Sequence, residues 1–127
     1  MHTESIEKEI TFAQDDVREW VKVAAVEDFP HNGGTTFLHK DKQIAIYNFA
    51  ARGEWYATQN MCPHRMEMVL SRGIIGDAAG EPKVSCPFHK KNFSLKSGEC
   101  LSGDAYKIAV YPVKIEDNFV YVGVPYN

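Results

Sequence analysis

The sequence predicts an all-β domain, a sandwich or partly open barrel built of short antiparallel strands. Three observations carry this expectation. Short apolar runs, mostly four to eight residues long and rich in Val, Ile, Tyr, Phe and Thr, follow one another along the chain. Clusters of Gly, Pro, Asn, Asp and Ser separate them. Helical periodicity is slight, and evenly spaced short strands without helices close up as sandwiches or barrels.

In chain order, residues 1–16 are polar and charged, with Ile6, Ile10 and Phe12 spaced along them, and read as an N-terminal arm or an edge strand. Residues 17–127 read as one domain, since 127 residues suit a single hydrophobic core. The strand candidates are 20–26, 35–38, 43–49, 55–59, 83–85, 92–95, 107–110, 113–116 and 119–124. Between them stand the turn signals Pro30-His31-Asn32-Gly33-Gly34, Arg52-Gly53, Asp77-Ala78-Ala79-Gly80, Ser97-Gly98, Ser102-Gly103-Asp104 and Asp117-Asn118. One brief helix is expected near 26–29 or within 13–19.

Apolar residues make up 44% and charged residues 24%, the composition of a soluble globular protein. A net charge of only −3 gives no reason to expect nucleic acid or a membrane surface as partner. No apolar run approaches the roughly 20 residues that cross a bilayer. The acidic, charge-broken start lacks the basic and apolar regions of a signal peptide, so a cytoplasmic protein is expected. The three cysteines, Cys62, Cys86 and Cys100, are too few and too odd for a disulfide framework. Cysteines beside histidines in a reducing compartment are better read as metal ligands.

Such a pairing occurs twice. Cys62-Pro63-His64-Arg65 is echoed by Cys86-Pro87-Phe88-His89-Lys90, each where a strand should give way to a loop. Thiolates are soft ligands suited to iron–sulfur clusters and zinc, and imidazole binds iron and zinc. Pro63 and Pro87 fix φ just after each cysteine and stiffen the loops. A structural zinc finger usually groups its cysteines and then its histidines. Here each loop offers one of each, C-x-H and then C-x₂-H, with 21 residues between His64 and Cys86. That mixed pattern is the arrangement of Rieske [2Fe–2S] centres, in which two cysteines hold one iron and two histidines the other. By this resemblance Cys62 and Cys86 bind the inner iron, and His64 and His89 the outer one, from loops near 61–66 and 86–92. Structural zinc is the alternative for the same four residues. Cys100 has no histidine beside it and reads as a packed thiol; His2, His31 and His39 read as surface or loop residues.

High-potential Rieske proteins carry an extra cysteine in each loop, forming a disulfide, and a Gly-Ser after the second histidine whose hydroxyl donates to a cluster sulfur. This chain has Arg65-Met66 and Phe88 in the loops and Lys90-Lys91 after His89. Fewer donors to sulfur point to a potential toward the low end of the Rieske range, about −150 mV. Arg65, Lys90 and Lys91 flank the histidines, with Arg72, Lys83 and Lys96 nearby. They make either a solvated rim or a docking face for an acidic partner. Met61, Met66 and Met68 are expected to pack over the cluster. The chain shows no G-x-G-x-x-G, P-loop, G-x-S-x-G or C-x-x-C-H, so it has no visible means of oxidising a nicotinamide or reducing a substrate alone.

Over residues 18–125 the chain resembles Rieske ferredoxins, with the fold of the Rieske-type iron–sulfur protein domain. Val69-Leu70-Ser71-Arg72-Gly73-Ile74-Ile75-Gly76-Asp77, Gly80-Glu81-Pro82-Lys83-Val84 and Cys86-Pro87-Phe88-His89-Lys90-Lys91-Asn92-Phe93-Ser94-Leu95 resemble the small subunit of assimilatory NAD(P)H-dependent nitrite reductases. The tail, 111–124, fits too, although dioxygenase ferredoxins end similarly. The resemblance implies an electron-transfer subunit without a substrate site of its own. It implies a large-subunit partner carrying FAD, siroheme and a [4Fe–4S] cluster, which takes nitrite to ammonium in nitrate assimilation. Two departures stand out from many ferredoxins: Met66 replaces a Gly two residues after the first histidine, which should alter that loop's shape, and no Gly-Trp follows the second. A stand-alone ferredoxin feeding a ring-hydroxylating dioxygenase is the alternative role, and a zinc-stabilised interaction module without redox function is a third.

Overall fold

The computed structural model describes residues 17–63, 66–88, 91–103 and 105–125. The strands run in the order β1 (Glu19–Ala25), β2 (Gly33–His39), β3 (Lys42–Phe49), β4 (Glu54–Gln59), β5 (Met61–Cys62), β6 (Glu67–Met68), β7 (Ile74–Ala78), β8 (Glu81–Ser85), β9 (Asn92–Ser94), β10 (Val110–Tyr111), β11 (Val113–Glu116) and β12 (Phe119–Val124). Among the described residues two 3₁₀ turns, Val26–Asp28 and Leu70–Arg72, interrupt them. All strand pairing among the described residues is antiparallel and forms four small sheets, β1-β12-β11, β10-β4-β3-β2, β5-β6 and β7-β8-β9, which do not close into a barrel.

Strand β3 organises the core. Residues 44–49 are all buried, the pattern of a strand covered on both faces. Alternation then sorts its side chains. Ile44 and Ile46 join Ala57, Tyr111, Val120, Val122 and Val124, against the β1-β12-β11 sheet. Ala45, Tyr47 and Phe49 join Leu70, Val84, Phe93, Leu95, Ile108 and the two cysteines Cys62 and Cys86. Each fully buried Ile contributes about 1.5–3 kcal/mol through removal from water. The base sheets and the cysteine-bearing loops thus share one strand, and the loops rest directly on its odd-numbered face.

The strands read from β-rich runs are present, with ends shifted by one or two residues. Val26–Asp28 supplies the expected short helical turn, as 3₁₀. Of the other helix candidate, 13–16 lie outside the described residues, as does the whole arm 1–16, and Glu19 already begins β1. The run 107–110 forms a strand only at its end. Ile108 N–H donates to Gly98 O at 2.9 Å and Ala109 N–H to the Gln59 side chain at 2.8 Å, so the segment's backbone is divided between two partners. β5, β6 and β7 are additional. The first two hold two residues each, and β7 contains Gly76 and Asp77, residue types depleted in strands, yet it pairs with β8 along its whole length.

Candidate metal centre

Both cysteines sit where a strand ends in a tight loop. Cys62 closes β5, pairing with Glu67 across a short hairpin, and its carbonyl accepts from Met66 N–H at 2.6 Å. Cys86 follows β8 directly; its N–H donates to Lys91 O at 2.9 Å, continuing the Ser85–Asn92 register of the β8–β9 pair. Met66 takes φ = 58°, the left-handed region. Glycine adopts this conformation without strain, whereas Met66 holds it at a cost.

A close backbone contact relates the two loops. Gly73 ends the 3₁₀ turn after the first loop, and a Cβ built on it would stand 2.2 Å from Ser85 O and 2.8 Å from Val84 Cγ2. Only a residue without a side chain allows the end of one loop to lie against the strand that delivers the other cysteine.

Cys62 and Cys86 are both 0% exposed and share one cluster of buried side chains, and neither is disulfide-bonded. His64 and His89 lie outside the described residues, as do Arg65 and Lys90. Lys91 is half-buried, while Arg72 and Lys96 are exposed. Met61 is half-buried, Met66 and Met68 are 69% and 45% exposed, and Phe88 is 54% exposed. Among the described residues the β5–β6 hairpin is a two-stranded sheet. Cys100 is partly buried and packs against the cysteine-bearing core, consistent with a packed thiol. His31 is exposed, and His39 ends β2 with Nε2 3.7 Å from Glu19 Oε1, both remote in sequence from the cysteine loops.

Two residues at the bases of the loops carry no recognisable sequence signal. Asn60, 2% exposed, uses both its backbone and its side chain: its N–H donates to Gln43 O at 3.0 Å, its carbonyl accepts from Leu70 N–H at 2.9 Å, Nδ2 donates to Gln43 Oε1 at 2.9 Å and Oδ1 accepts from Ser71 N–H at 2.8 Å. Asn92 Oδ1 accepts from Ser85 Oγ–H and from Lys83 Nζ, the latter at 3.2 Å. Its N–H donates to Ser102 Oγ at 3.0 Å, and its carbonyl accepts from Leu101 N–H at 2.7 Å.

Two soft donors, not disulfide-bonded, shielded from solvent and held at the ends of paired strands fit an iron–sulfur group. The fold and these loops define a class, and the chain belongs to it: residues 19–123 match the Rieske-like [2Fe-2S] domain family, whose cofactor is a Rieske-type cluster. Within that class it is similar to nitrite reductase proteins and also to dioxygenase ferredoxins, among them a Ralstonia ferredoxin component 32% identical over 99 residues, covering 77% of this chain and 88% of that one. It is 47% identical over 90 residues to the nitrite reductase [NAD(P)H] of Emericella nidulans, covering 67% of this chain and 8% of that one. It is 28% identical over 102 residues to the nitrite reductase (NADH) small subunit of Escherichia coli K12, covering 80% of this chain and 94% of the other. Its structure resembles that of a Mycobacterium tuberculosis protein described as an NADH-dependent nitrite reductase small subunit, with a TM-score of 0.78 and 29% identity over 84% of this chain and 95% of that one. The chain thus spans under a tenth of the fungal relative and nearly the whole of the bacterial small subunit.

Proposed function

We propose that this chain is the electron-transfer small subunit of an assimilatory NAD(P)H-dependent nitrite reductase, working in the cytoplasm against a large subunit that carries FAD, siroheme and a [4Fe–4S] cluster. The observation that carries the reading is the double occurrence of this domain: as a chain of its own length in the Escherichia coli small subunit, and as a small part of a far longer nitrite reductase in Emericella nidulans. A domain found both separate and fused under one enzyme's name works in contact with the remainder of that enzyme.

In this reading Cys62 and Cys86 hold the inner iron, and His64 and His89 the outer one. When bound, the group supplies one-electron chemistry. The chain's own part is to bury the two thiols away from water, to stiffen their loops through Pro63 and Pro87, and to present a rim to the partner. Arg65, Lys90 and Lys91 give that rim its charge, and Met66, Met68 and Phe88 its apolar surface. Charge steers encounter, while the apolar groups add contact area. Reduction of nitrite belongs to the partner, because nothing in the chain's motifs binds a nicotinamide or handles six electrons.

The test has two stages. The purified chain should show the visible spectrum of a Rieske centre, and its dithionite-reduced EPR should have an average g below that of all-cysteine clusters. Cys62→Ser and His89→Ala should each abolish that signal; a colourless, zinc-containing protein would overturn the cluster reading. Mixed with the large subunit, the loaded chain should be reduced by nicotinamide and should bind that subunit. Failure to bind it, combined with support of a ring-hydroxylating oxygenase, would make the chain a ferredoxin instead.

A further inference from the structure

We propose that Asn60 and Asn92 are matched positioning residues, one at the base of each cysteine loop, that hold Cys62 and Cys86 in place for the iron–sulfur group. The inference rests on the reading of those cysteines as ligands and extends it to residues that touch no iron.

The two asparagines occupy equivalent places. Asn60 lies two residues before Cys62, and its bonds to Leu70 and Ser71 tie the start of the first loop to its end. Asn92 lies six residues after Cys86, and its bond from Ser85 ties the end of the second loop to its start. Each also anchors its loop to a third segment: Asn60 to Gln43 on β3, Asn92 to Leu101 and Ser102. The repeat of Cys-Pro and His in the sequence is thus accompanied by a repeat of loop closure that the sequence does not announce.

The chemistry of the side chain explains the choice. An amide offers a donor and an acceptor on a short stem, so one residue can join two backbone segments. At position 60 both halves are used. At position 92 the acceptor alone is used in the bonds from Ser85 and Lys83. A buried group with its partners satisfied resists opening, since freeing one leaves a desolvated polar atom. A ligand loop closed in this way keeps its thiol where the cluster needs it, as outer groups do at other metal sites.

The difference in how the amides are used makes the proposal testable. Asn92→Asp retains both acceptor bonds and adds charge pairing with Lys83, whereas Asn92→Ala removes both. In the iron-loaded protein, Asn92→Ala and Asn60→Ala should lose iron to a chelator about 10-fold faster than wild type, with Asn92→Asp within about twofold of it. The alanine variants should also broaden or shift the reduced EPR signal, and Asn92→Asp should not. Arg52→Ala serves as the control: it breaks an ion pair at the turn end of the β7–β8 hairpin, the end away from Cys86, and should lower the melting temperature without changing iron release. Ser85→Ala removes one donor only and gives an intermediate release rate, which keeps the test decisive should Asn92→Ala fail to load. Wild-type release and an unchanged EPR signal in both alanine variants would overturn the proposal. So would an Arg52→Ala variant that releases iron as fast as they do. A wild-type chain that holds iron without a Rieske signal would instead refute the ligand reading and take this inference with it.

Discussion

The Arg52 guanidinium, at the turn between β3 and β4, donates to the Asp77 carboxylate on β7 at 2.7 Å. The pair joins the hairpin that shapes the core to the hairpin that leads to Cys86. Asp77 also accepts from Gly80 N–H at 2.7 Å, which fastens its own β7–β8 turn, and Arg52 lies 3.2 Å from Glu54. The hydrogen bond from Arg52, and then that from Gly80, hold the Asp77 carboxyl below the usual carboxylate value. A carboxylate depressed in the folded state stabilises it above the unfolded value, about 3.9, and that contribution is lost as pH falls through the folded value. Asp77→Asn should therefore be less stable than wild type at pH 7, and the gap should close as the pH drops below about 4. Urea midpoints at neutral and acid pH measure this; a gap independent of pH would refute it.

Beneath that surface pair is a buried one. Tyr47 Oη and Thr58 Oγ1 lie 3.0 Å apart, both 0% exposed, and the Thr58 hydroxyl donates onward to Gln59 O at 2.8 Å. With its one proton so committed, Thr58 must accept, and Tyr47 donates. The two partners are then unequal. Tyr47→Phe leaves Thr58 still bonded and should cost about 0.5–1.5 kcal/mol, whereas Thr58→Val strands a buried phenol and should cost about 1–3 kcal/mol. Chemical unfolding of the two variants ranks them, and equal costs would show the donor assignment to be wrong. Burial raises the Tyr47 phenol above its usual value, with the Thr58 bond opposing. Stability from the neutral phenol is complete below about pH 10 and is lost as the pH climbs toward the folded value, so Tyr47→Phe should narrow its deficit in alkali.

How far the sequence reveals all this depends on the range of the interaction. β3, β4 and β12 are readable because β-rich side chains recur along the chain itself. Cys62 and Cys86 are readable because two copies of a short motif are rarer than either alone. The paired strands β5 and β6 are too short to show a period, and β7 is held by β8 against the preference of Gly76 and Asp77. Asn60 and Asn92 look like any turn asparagines until their partners, some 11 to 17 residues away for Asn60, come into view. Gly73 lies within a recognised stretch, but its reason, the Ser85 carbonyl, does not.

Met66 tests whether the first loop tolerates its unusual residue at a cost. A side chain at φ = 58° carries roughly 1–2 kcal/mol of strain, and glycine in its place gives back about 0.5–1 kcal/mol through the freedom of the unfolded chain. Met66 is also mostly exposed, so little packing is lost on truncation. Met66→Gly should thus stabilise the protein by about 0.5–1 kcal/mol, read as a higher urea midpoint. The cluster spectrum should be unchanged, because the backbone turn is already the one glycine prefers. On the proposed pairing with a large subunit, loss of the exposed Met66 side chain should weaken capture by that subunit while raising stability. A destabilised variant would mean that the left-handed turn is not strained.

Gly73 sets the spacing of the two loops, and a single methyl should disturb it. A Cβ there meets backbone at 2.2 Å, which no rotamer relieves, since Ser85 O belongs to the strand that carries Cys86. Gly34 offers the comparison. Its Cβ would meet Ser71 O at 2.5 Å and Tyr47 Cδ1 at 3.1 Å, so Gly34→Ala also overpacks, but where β2 crosses the 3₁₀ turn. Both substitutions should cost about 1–3 kcal/mol by forcing backbone to move. They should differ in what else they change. Gly73→Ala pushes the end of the first loop from the start of the second and should lower iron content and shift the EPR signal. Gly34→Ala presses on Ser71, whose N–H Asn60 Oδ1 accepts, and so disturbs the end of the first loop without meeting the strand that carries Cys86; its loss of iron and its EPR shift should both be smaller than those of Gly73→Ala. Melting temperature, iron per chain and EPR of the two variants side by side decide the matter. Equal stability losses with equal spectra would show that the contact between the loops bears on folding alone.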